Sequence, residues 1–582
     1  MANLDLDAIL PLVTHPIRYT GGELNCISVP GEDKRIRVAL LLPDVYEIGM
    51  SNYGLRILYA LLNRRPDTIC ERAYTPWPDM ANRLRTSGIP LYSLESRRPL
   101  NTFHILGFSL QSELTSTNLL YTLELAGVPL HNHERTERHP LVIAGGPCCA
   151  NPLPLRDFID CFVIGDGEDV IQEIVATYRD WNRSHRADLL AALAQLESVY
   201  VPLVPARTPI RRRVKAVLSE AEFPFPPIVP IGEIIHDRLT LEIARGCCRG
   251  CRFCQAGVLN RPYRTRPQAE LVRLAEKGIQ ASGWEEVSLL SLSALDYPGL
   301  LDLVDRLNSS LEKRRVAISL PSVRGEDFTP ELAQALKKVH KTGLTFAPET
   351  ASPRLRQMVN KDISEQKIID SIQAAAQAGW TGVKLYFMIG LPGETDADVN
   401  EIGRFVEELG RIAKTWQVRF NLSPFVPKPH TPLQWCGFAP VAALAERLGR
   451  LRSGLRRRNV RAKWERPEVS CLQTALARGD TRLGPVIERA YRLGGIFQEW
   501  TEDFSFELWQ RAFRDSGIDL DSYLRPLPLD QPLPWDFIDV GVSKEHLRAE
   551  HDRAQAGLLT PDCRPSECWA CGIVNCPGTG RT

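Results

Sequence analysis

Three cysteines, Cys247, Cys251 and Cys254, fall on one short loop, and whatever binds them constrains the fold on either side. The stretch Gly246-Cys247-Cys248-Arg249-Gly250-Cys251-Arg252-Phe253-Cys254 has the spacing C-x3-C-x2-C, with an aromatic residue before the last cysteine. Three thiolates so placed can hold three corners of a cubane [4Fe-4S] cluster, whose usual complement is four cysteines. One iron is then left open. A zinc site usually needs four ligands, often in two C-x2-C knuckles, and no second knuckle or histidine pair lies nearby. A disulfide is disfavoured in a chain without a secretory leader. Cys248 is ambiguous: its spacing to Cys251 is C-x2-C, so a metal can use it, but Cys247 alone completes the wider pattern.

The spacing and the position of Phe253 resemble the radical S-adenosylmethionine (SAM) superfamily. The resemblance implies that the open iron chelates the amino and carboxylate groups of SAM and passes one electron into its sulfonium, giving a 5'-deoxyadenosyl radical, while the protein positions and shields the reactants. It makes Cys247, Cys251 and Cys254 the catalytic cluster ligands and places Phe253 beside the cofactor. It also implies an external electron donor such as flavodoxin or ferredoxin.

At 582 residues the chain is too long for a single core. Its start, Met1-Ala2-Asn3-Leu4-Asp5, has no basic n-region, and no apolar run is long enough to cross a bilayer, so a cytoplasmic protein with no membrane partner is expected. A formal net charge of +1 gives no global reason to expect nucleic acid, though local basic patches remain open. Fifteen clustered cysteines suit a reducing compartment and metal binding.

Residues 1–180 alternate apolar runs with helical stretches. The runs at 37–43, 103–109, 141–146 and 158–165 end in glycine or polar residues, which predicts a doubly wound α/β domain with ligands beyond the carboxyl ends of its strands. At those ends stand Asp44-Val45-Tyr46-Glu47-Ile48-Gly49, then Ser109, Gly145-Gly146 and Gly165-Asp166-Gly167-Glu168. This order resembles the cobalamin-binding domain that precedes many radical SAM cores. The resemblance implies cobalamin contacts by Asp44, Tyr46, Gly49, Ser109, Gly145, Gly146, Gly165 and Glu168. The related mutases carry D-x-H-x-x-G; here Tyr46 fills the histidine slot, which leaves cobalt without a protein imidazole.

Residues 181–236 read as a linker, with a helix at 187–196, the basic run Arg211-Arg212-Arg213-Val214-Lys215 and the proline-rich stretch 223–230. From Leu239 to residue 440 the alternation resumes. With the strand before Cys247, runs at 286–291, 316–320, 343–347, 382–389 and 418–423 give six parallel strands, similar to the partial (β/α)6 barrel of the superfamily with chemistry at the carboxyl-end rim. By that resemblance Ser293 and Asp296 hold the methionine amino group, Glu349 accepts from ribose, Arg354 faces a carboxylate, and the Gly390 turn approaches adenine.

Residues 441–555 read as mostly helical. Arginines 450, 452, 456, 457, 458 and 461 lie among leucines at helical intervals, so a solvated amphipathic helix and an RNA- or ribosome-binding face are both open. The tail 556–582 carries Cys563, Cys568, Cys571 and Cys576, a set that suits an auxiliary iron-sulfur cluster or zinc. It resembles the carboxyl-terminal cysteine cluster of a bacterial subfamily of cobalamin-binding radical SAM enzymes. The expectation is a radical SAM enzyme, cobalamin-dependent, methylating an unactivated carbon of an unknown substrate. The alternatives are an RNA- or ribosome-associated modification enzyme of the same superfamily, or a non-catalytic iron-sulfur or cobalamin scaffold.

Overall fold

A computed structural model describes residues 6–27, 35–320, 328–339, 343–412, 416–562, 564, 569, 571–573 and 576. The chain forms two compact units. One comprises Met1–Asp237, Leu476–Leu520 and Leu533–Val540, the other Arg238–Ala475, Asp521–Pro532 and Gly541–Thr582. The segment 441–555, expected to be one helical domain, is shared between them.

The first unit is built on a six-stranded sheet. Its strands are β1 (Ile36–Leu42), β2 (Thr68–Tyr74), β3 (Ile105–Ser109), β4 (Leu141–Gly145), β5 (Cys161–Val163) and β6 (Val199–Tyr200), in the order β2-β1-β3-β4-β5-β6. All neighbours are parallel except β5 and β6. Every residue of β1 is buried, as an unbroken apolar strand covered on both faces must be. The order of the first five strands is that of a flavodoxin-like doubly wound sheet, which puts a topological switch between β1 and β3.

Edge strand β2 escaped the sequence reading because it carries Glu71 and Arg72, yet both are buried. Arg72 lies 2.9 Å from Glu23 and 2.6 Å from Glu95, while Ser93 donates to Glu71 at 2.5 Å. A buried charge is tolerable only when paired and hydrogen-bonded, and here every partner is remote in sequence.

The expected linker 181–236 is partly sheet. Its helix spans Arg186–Leu193, and β6 closes the sheet edge. The basic run is tied down rather than free: Ile210–Arg211 pairs with Ile538–Asp539, Arg213 meets Glu173 at 2.9 Å, and Lys215 meets Asp169 at 2.8 Å.

Among its described residues the second unit has seven parallel strands, one more than expected. These are β7 (Leu239–Glu242), β8 (Glu286–Leu290), β9 (Ala317–Ser319), β10 (Thr345–Glu349), β11 (Gly382–Ile389), β12 (Gln417–Pro424) and β13 (Val460–Trp464). They form ladders β7-β8-β9 and β10-β11-β12-β13, with a helix between each consecutive pair. Strand β13 corrects the expectation of one long arginine helix. The helix stops at Gly454, and the chain turns back as a strand in which Val460 is buried while Arg461 and Lys463 are exposed. Alternating exposure on an edge strand accommodates such charges. Arg447, Arg450 and Arg457 meet Glu394, Asp396 and Glu407 of the same unit.

No helix among the described residues is long and apolar enough to cross a membrane.

Candidate active site

The cysteine loop follows β7. Its ends are tied by a two-residue antiparallel ladder in which Ala244 and Arg245 pair with Thr265 and Arg264. Gly246 opens the loop at φ +88°, and a Cβ there would stand 2.4 Å from the carbonyl oxygens of Asn260 and Pro262, so only glycine fits. Cys254 caps the helix Gln255–Leu259, its sulfur accepting from the Gly257 amide at 3.3 Å.

Cys247, Cys251 and Cys254 are mutually close enough to interact electrostatically. Burial, and then the neighbouring Cys251, push the Cys247 thiol up, and the same two causes take Cys254 up to about 12. Thiols crowded in this way carry charge together only when a cation compensates them, so the donor set fits a metal cluster bound by three thiolates. Cys248 belongs to a different group: its sulfur lies 3.9 Å from Asp296 Oδ2, within reach of Asp562 as well.

The predicted rim residues all follow parallel strands at their carboxyl ends. Asp296, after β8, is nearly buried and accepts from Arg249 Nε and Arg564 Nη2, each at 2.8 Å. Burial opposes its ionisation, but the guanidinium of Arg249 and its other donors outweigh this and hold its carboxyl below the usual range. Ser293 lies on the same turn, its amide donating to Ser291 Oγ at 3.2 Å.

Glu349 ends β10 at φ +68°, where the register with β11 shifts, and its carboxylate meets Lys361 at 2.8 Å. A non-glycine residue in the left-handed region carries roughly 1–3 kcal/mol of strain, which the surrounding structure must over-determine. Lys361 in turn acts electrostatically on Cys254, which connects Glu349 to the cysteine trio.

Arg354 and Gly390 have internal tasks. Arg354 donates to the Gly393 carbonyl at 2.9 Å and to Asp398 at 2.6 Å. The Gly390 amide donates to Glu394 at 2.6 Å, and burial pushes the Glu394 carboxyl up to about 7 against the opposing effects of that amide and Arg447. Phe253 packs against the apolar cluster of Leu355, Met358, Leu391, Phe425 and Leu433.

In the first unit the cobalamin candidates divide. Ser109 and Gly145 are half-buried and Gly146 is exposed at the carboxyl ends of β3 and β4. Asp44 and Tyr46 are almost fully buried, and Asp44 accepts from Trp500 Nε1 at 3.1 Å. The Tyr46 ring meets Tyr74 edge-on, and a Cβ on Gly49 would strike that Tyr74 ring. Tyr46 is therefore a core residue. At Gly165 the backbone bridges to Arg213, and Glu168 is buried in the helix that follows. A glycine edge at the carboxyl end of β4, beside Ser109 at the end of β3, suits a bulky planar ligand, whereas Asp44, Tyr46, Gly49 and Glu168 serve the core.

Of the tail cysteines, Cys563 and Cys568 lie outside the described residues. Cys571 accepts from the Ser543 amide at 2.8 Å, and Cys576 is half-buried. Trp569 stacks on His546 at 6.2 Å and lies under Arg261 at 4.9 Å. Trp569, His546 and Arg261 line an open cleft together with Gly250 and Cys251.

Two family models match the chain. Residues 241–406 match the radical SAM superfamily, and residues 54–202 match the amino-terminal region of radical SAM proteins. The chain belongs to the radical SAM superfamily. An uncharacterized protein from Methanocaldococcus jannaschii is 27% identical over 485 residues, 83% of this chain and 97% of that one. The ribosomal protein uS12 methylthiotransferase of Thermoanaerobacter is 25% identical over 178 residues, 29% of this chain and 40% of its own. Among solved structures, a radical SAM methyltransferase from Kitasatospora setae, solved with cobalamin and a [4Fe-4S] cluster bound, aligns at 13% identity and a TM-score of 0.47, covering 90% of this chain and 99% of that one.

Sequence reading missed the radical SAM loop's supports. The sequence alone singles out none of Arg249, Arg252, Asn360, Lys361, Glu550, Thr560 and Arg564. A signal existed only for Arg249 and Arg252, as arginines inside a metal motif.

Proposed function

We propose that this radical SAM enzyme holds a [4Fe-4S] cluster on Cys247, Cys251 and Cys254 and uses it to generate a radical from SAM. The convergence of those three thiols at the strand-end rim, with Cys248 turned to Asp296 instead, carries the reading. When bound, the cluster supplies the electron that cleaves SAM reductively and releases a 5'-deoxyadenosyl radical. Asp296 is assigned to the SAM ammonium, a charge-assisted pair. Glu349, held by Lys361, is assigned to the ribose hydroxyls. Phe253 and its apolar neighbours form a wall that keeps water from the loop. Arg354 acts as a strut for the Gly393 turn.

We assign corrin binding to the partly exposed edge of Ser109, Gly145 and Gly146, which would hold a cobalamin, while Tyr46 stays buried in the core. When bound, cobalamin supplies a methyl group to an unactivated carbon of the substrate. The substrate and the electron donor, of the flavodoxin or ferredoxin kind, are read only as classes. The tail cysteines are assigned to a second iron-sulfur cluster or zinc. An RNA or ribosomal target is the weaker reading, because Arg450 and Arg457, two of the arginines that suggested it, are paired within their own unit.

The test is anaerobic reconstitution with iron and sulfide, reduction with dithionite, and addition of SAM. Formation of 5'-deoxyadenosine that is lost in Cys251→Ala is the expected result, and its absence from the loaded wild type overturns the reading. Corrin retention on gel filtration, lost in Ser109→Trp, tests the second assignment separately.

A further inference from the structure

Between Cys251 and Cys254 stands Arg252, which is 0% exposed. Its five N–H directions are all used. Nε donates to Glu550 at 2.9 Å; Nη1 donates to the carbonyls of Gln357 and Met358 at 3.1 and 3.0 Å; Nη2 donates to the Leu558 carbonyl at 2.7 Å and to Thr560 Oγ1 at 3.1 Å. The Arg252 amide donates to the Val359 carbonyl at 3.1 Å. Thr560 closes the circuit by donating to Glu550 at 2.7 Å.

Asn360 repeats the pattern beside it. Its side-chain nitrogen donates to the carbonyls of Gly250 at 3.2 Å and Thr560 at 3.1 Å, while its oxygen accepts from the Thr560 amide at 2.8 Å. Three segments remote in sequence are thus laced together: the cysteine loop, the end of the helix Pro353–Met358, and the carboxyl-terminal stretch that includes Lys544–Gln555.

A guanidinium taken wholly out of water is stable only if its fork is matched, and here the match spans the cysteine motif itself. The match with the superfamily model ends at residue 406, so Glu550 and Thr560 lie outside it. We propose that Arg252 is a positioning residue for the cluster, and that Glu550 and Thr560 of the carboxyl-terminal segment complete the cluster site by fixing Arg252. The barrel strands alone then leave the three thiolates without a fixed relative geometry. This inference rests on the cluster reading above. Lysine cannot replace the fork, because an ammonium offers three donors from a single point.

The experiment uses the full chain in two states. In metal-free protein, hydrogen exchange at the amides of Arg252 and Cys254 reports opening of the loop. We expect it to rise at least tenfold in Arg252→Lys and Glu550→Ala, with the core amides of β1 and β11 unchanged. Glu550→Gln, which keeps an acceptor for Nε, should recover to within about threefold of wild type. In reconstituted protein, iron loss to a chelator should quicken by the same order in the two damaging variants. Wild-type exchange and wild-type iron retention in both would overturn the proposal. Should Arg252→Lys fail to fold, the Glu550→Ala and Glu550→Gln comparison decides, and equal behaviour of those two overturns it. Failure of the wild type itself to take up iron counts against the cluster reading, while the metal-free exchange still tests the tie.

Discussion

Arg564 reaches Asp296 at 2.8 Å, placing a tail guanidinium on the carboxylate assigned to the SAM ammonium. Arg249 already pairs with the same carboxylate, so an ammonium joins the two guanidiniums there only at a cost. An ion pair with a partly exposed partner is worth about 1 kcal/mol, or roughly fivefold in affinity. Arg564→Ala should therefore tighten SAM binding by about that factor, and Asp296→Asn should weaken it by tenfold or more. Calorimetry on the reconstituted protein checks both; unchanged affinity in Asp296→Asn would remove the assignment.

The cysteine roles separate cleanly. Alanine at Cys247, Cys251 or Cys254 should abolish the visible absorption of the loop's iron-sulfur centre. Cys248→Ala should retain it, because that sulfur faces Asp296. Since the tail cysteines can carry a second centre, the comparison is made in a background with Cys571 and Cys576 replaced by alanine. Iron content and absorption after reconstitution are the measurements.

Glu394 makes stability depend on pH. Its carboxyl is raised from 4.5 to about 7 in the folded state, chiefly by burial. A raised carboxyl contributes stability that is complete below the unfolded value and is lost as pH climbs through the folded one. Between about pH 4.5 and 7 wild type should lose roughly 3 kcal/mol relative to Glu394→Gln. Urea midpoints of both proteins across that range test the sign and the window.

The first unit depends on a fully buried charge triad. Replacing Arg72 by methionine leaves Glu23 and Glu95 without their shared partner. Breaking one member of a buried pair costs about 3–5 kcal/mol, so Arg72→Met should unfold the first unit at markedly lower urea. Tryptophan fluorescence, with Trp77 and Trp500 meeting edge-on in that unit, follows the transition.

What could be read from the sequence depended on how local the physics was. Strands β1, β4 and β11 declared themselves as apolar runs, and the cysteine trio did so because its members share one loop. Strand β2 did not, because Glu71 and Arg72 look like surface residues until Arg37, Ser93, Glu23 and Glu95 are brought to them. Strand β13 was hidden because Arg461 and Lys463 alternate with buried Val460 and half-buried Ala462 and Trp464 and imitate a charged helix. The resemblance implies that Arg354 faces a ligand carboxylate, but its partners are Gly393 in the turn after β11 and Asp398 in the first turn of the helix that follows. Nothing in the local sequence of Glu550 or Thr560 points to a loop at Cys251.

Glu550 follows Arg252 by 298 residues. At roughly 5–20 residues per second of synthesis, the loop waits about 15–60 seconds on the ribosome before its anchor exists. On the proposed cluster reading, iron delivery to a fixed loop consequently comes only after Glu550 has been made, and a nascent barrel cut short before Glu550 would present its thiols to oxidants with nothing to hold them in place.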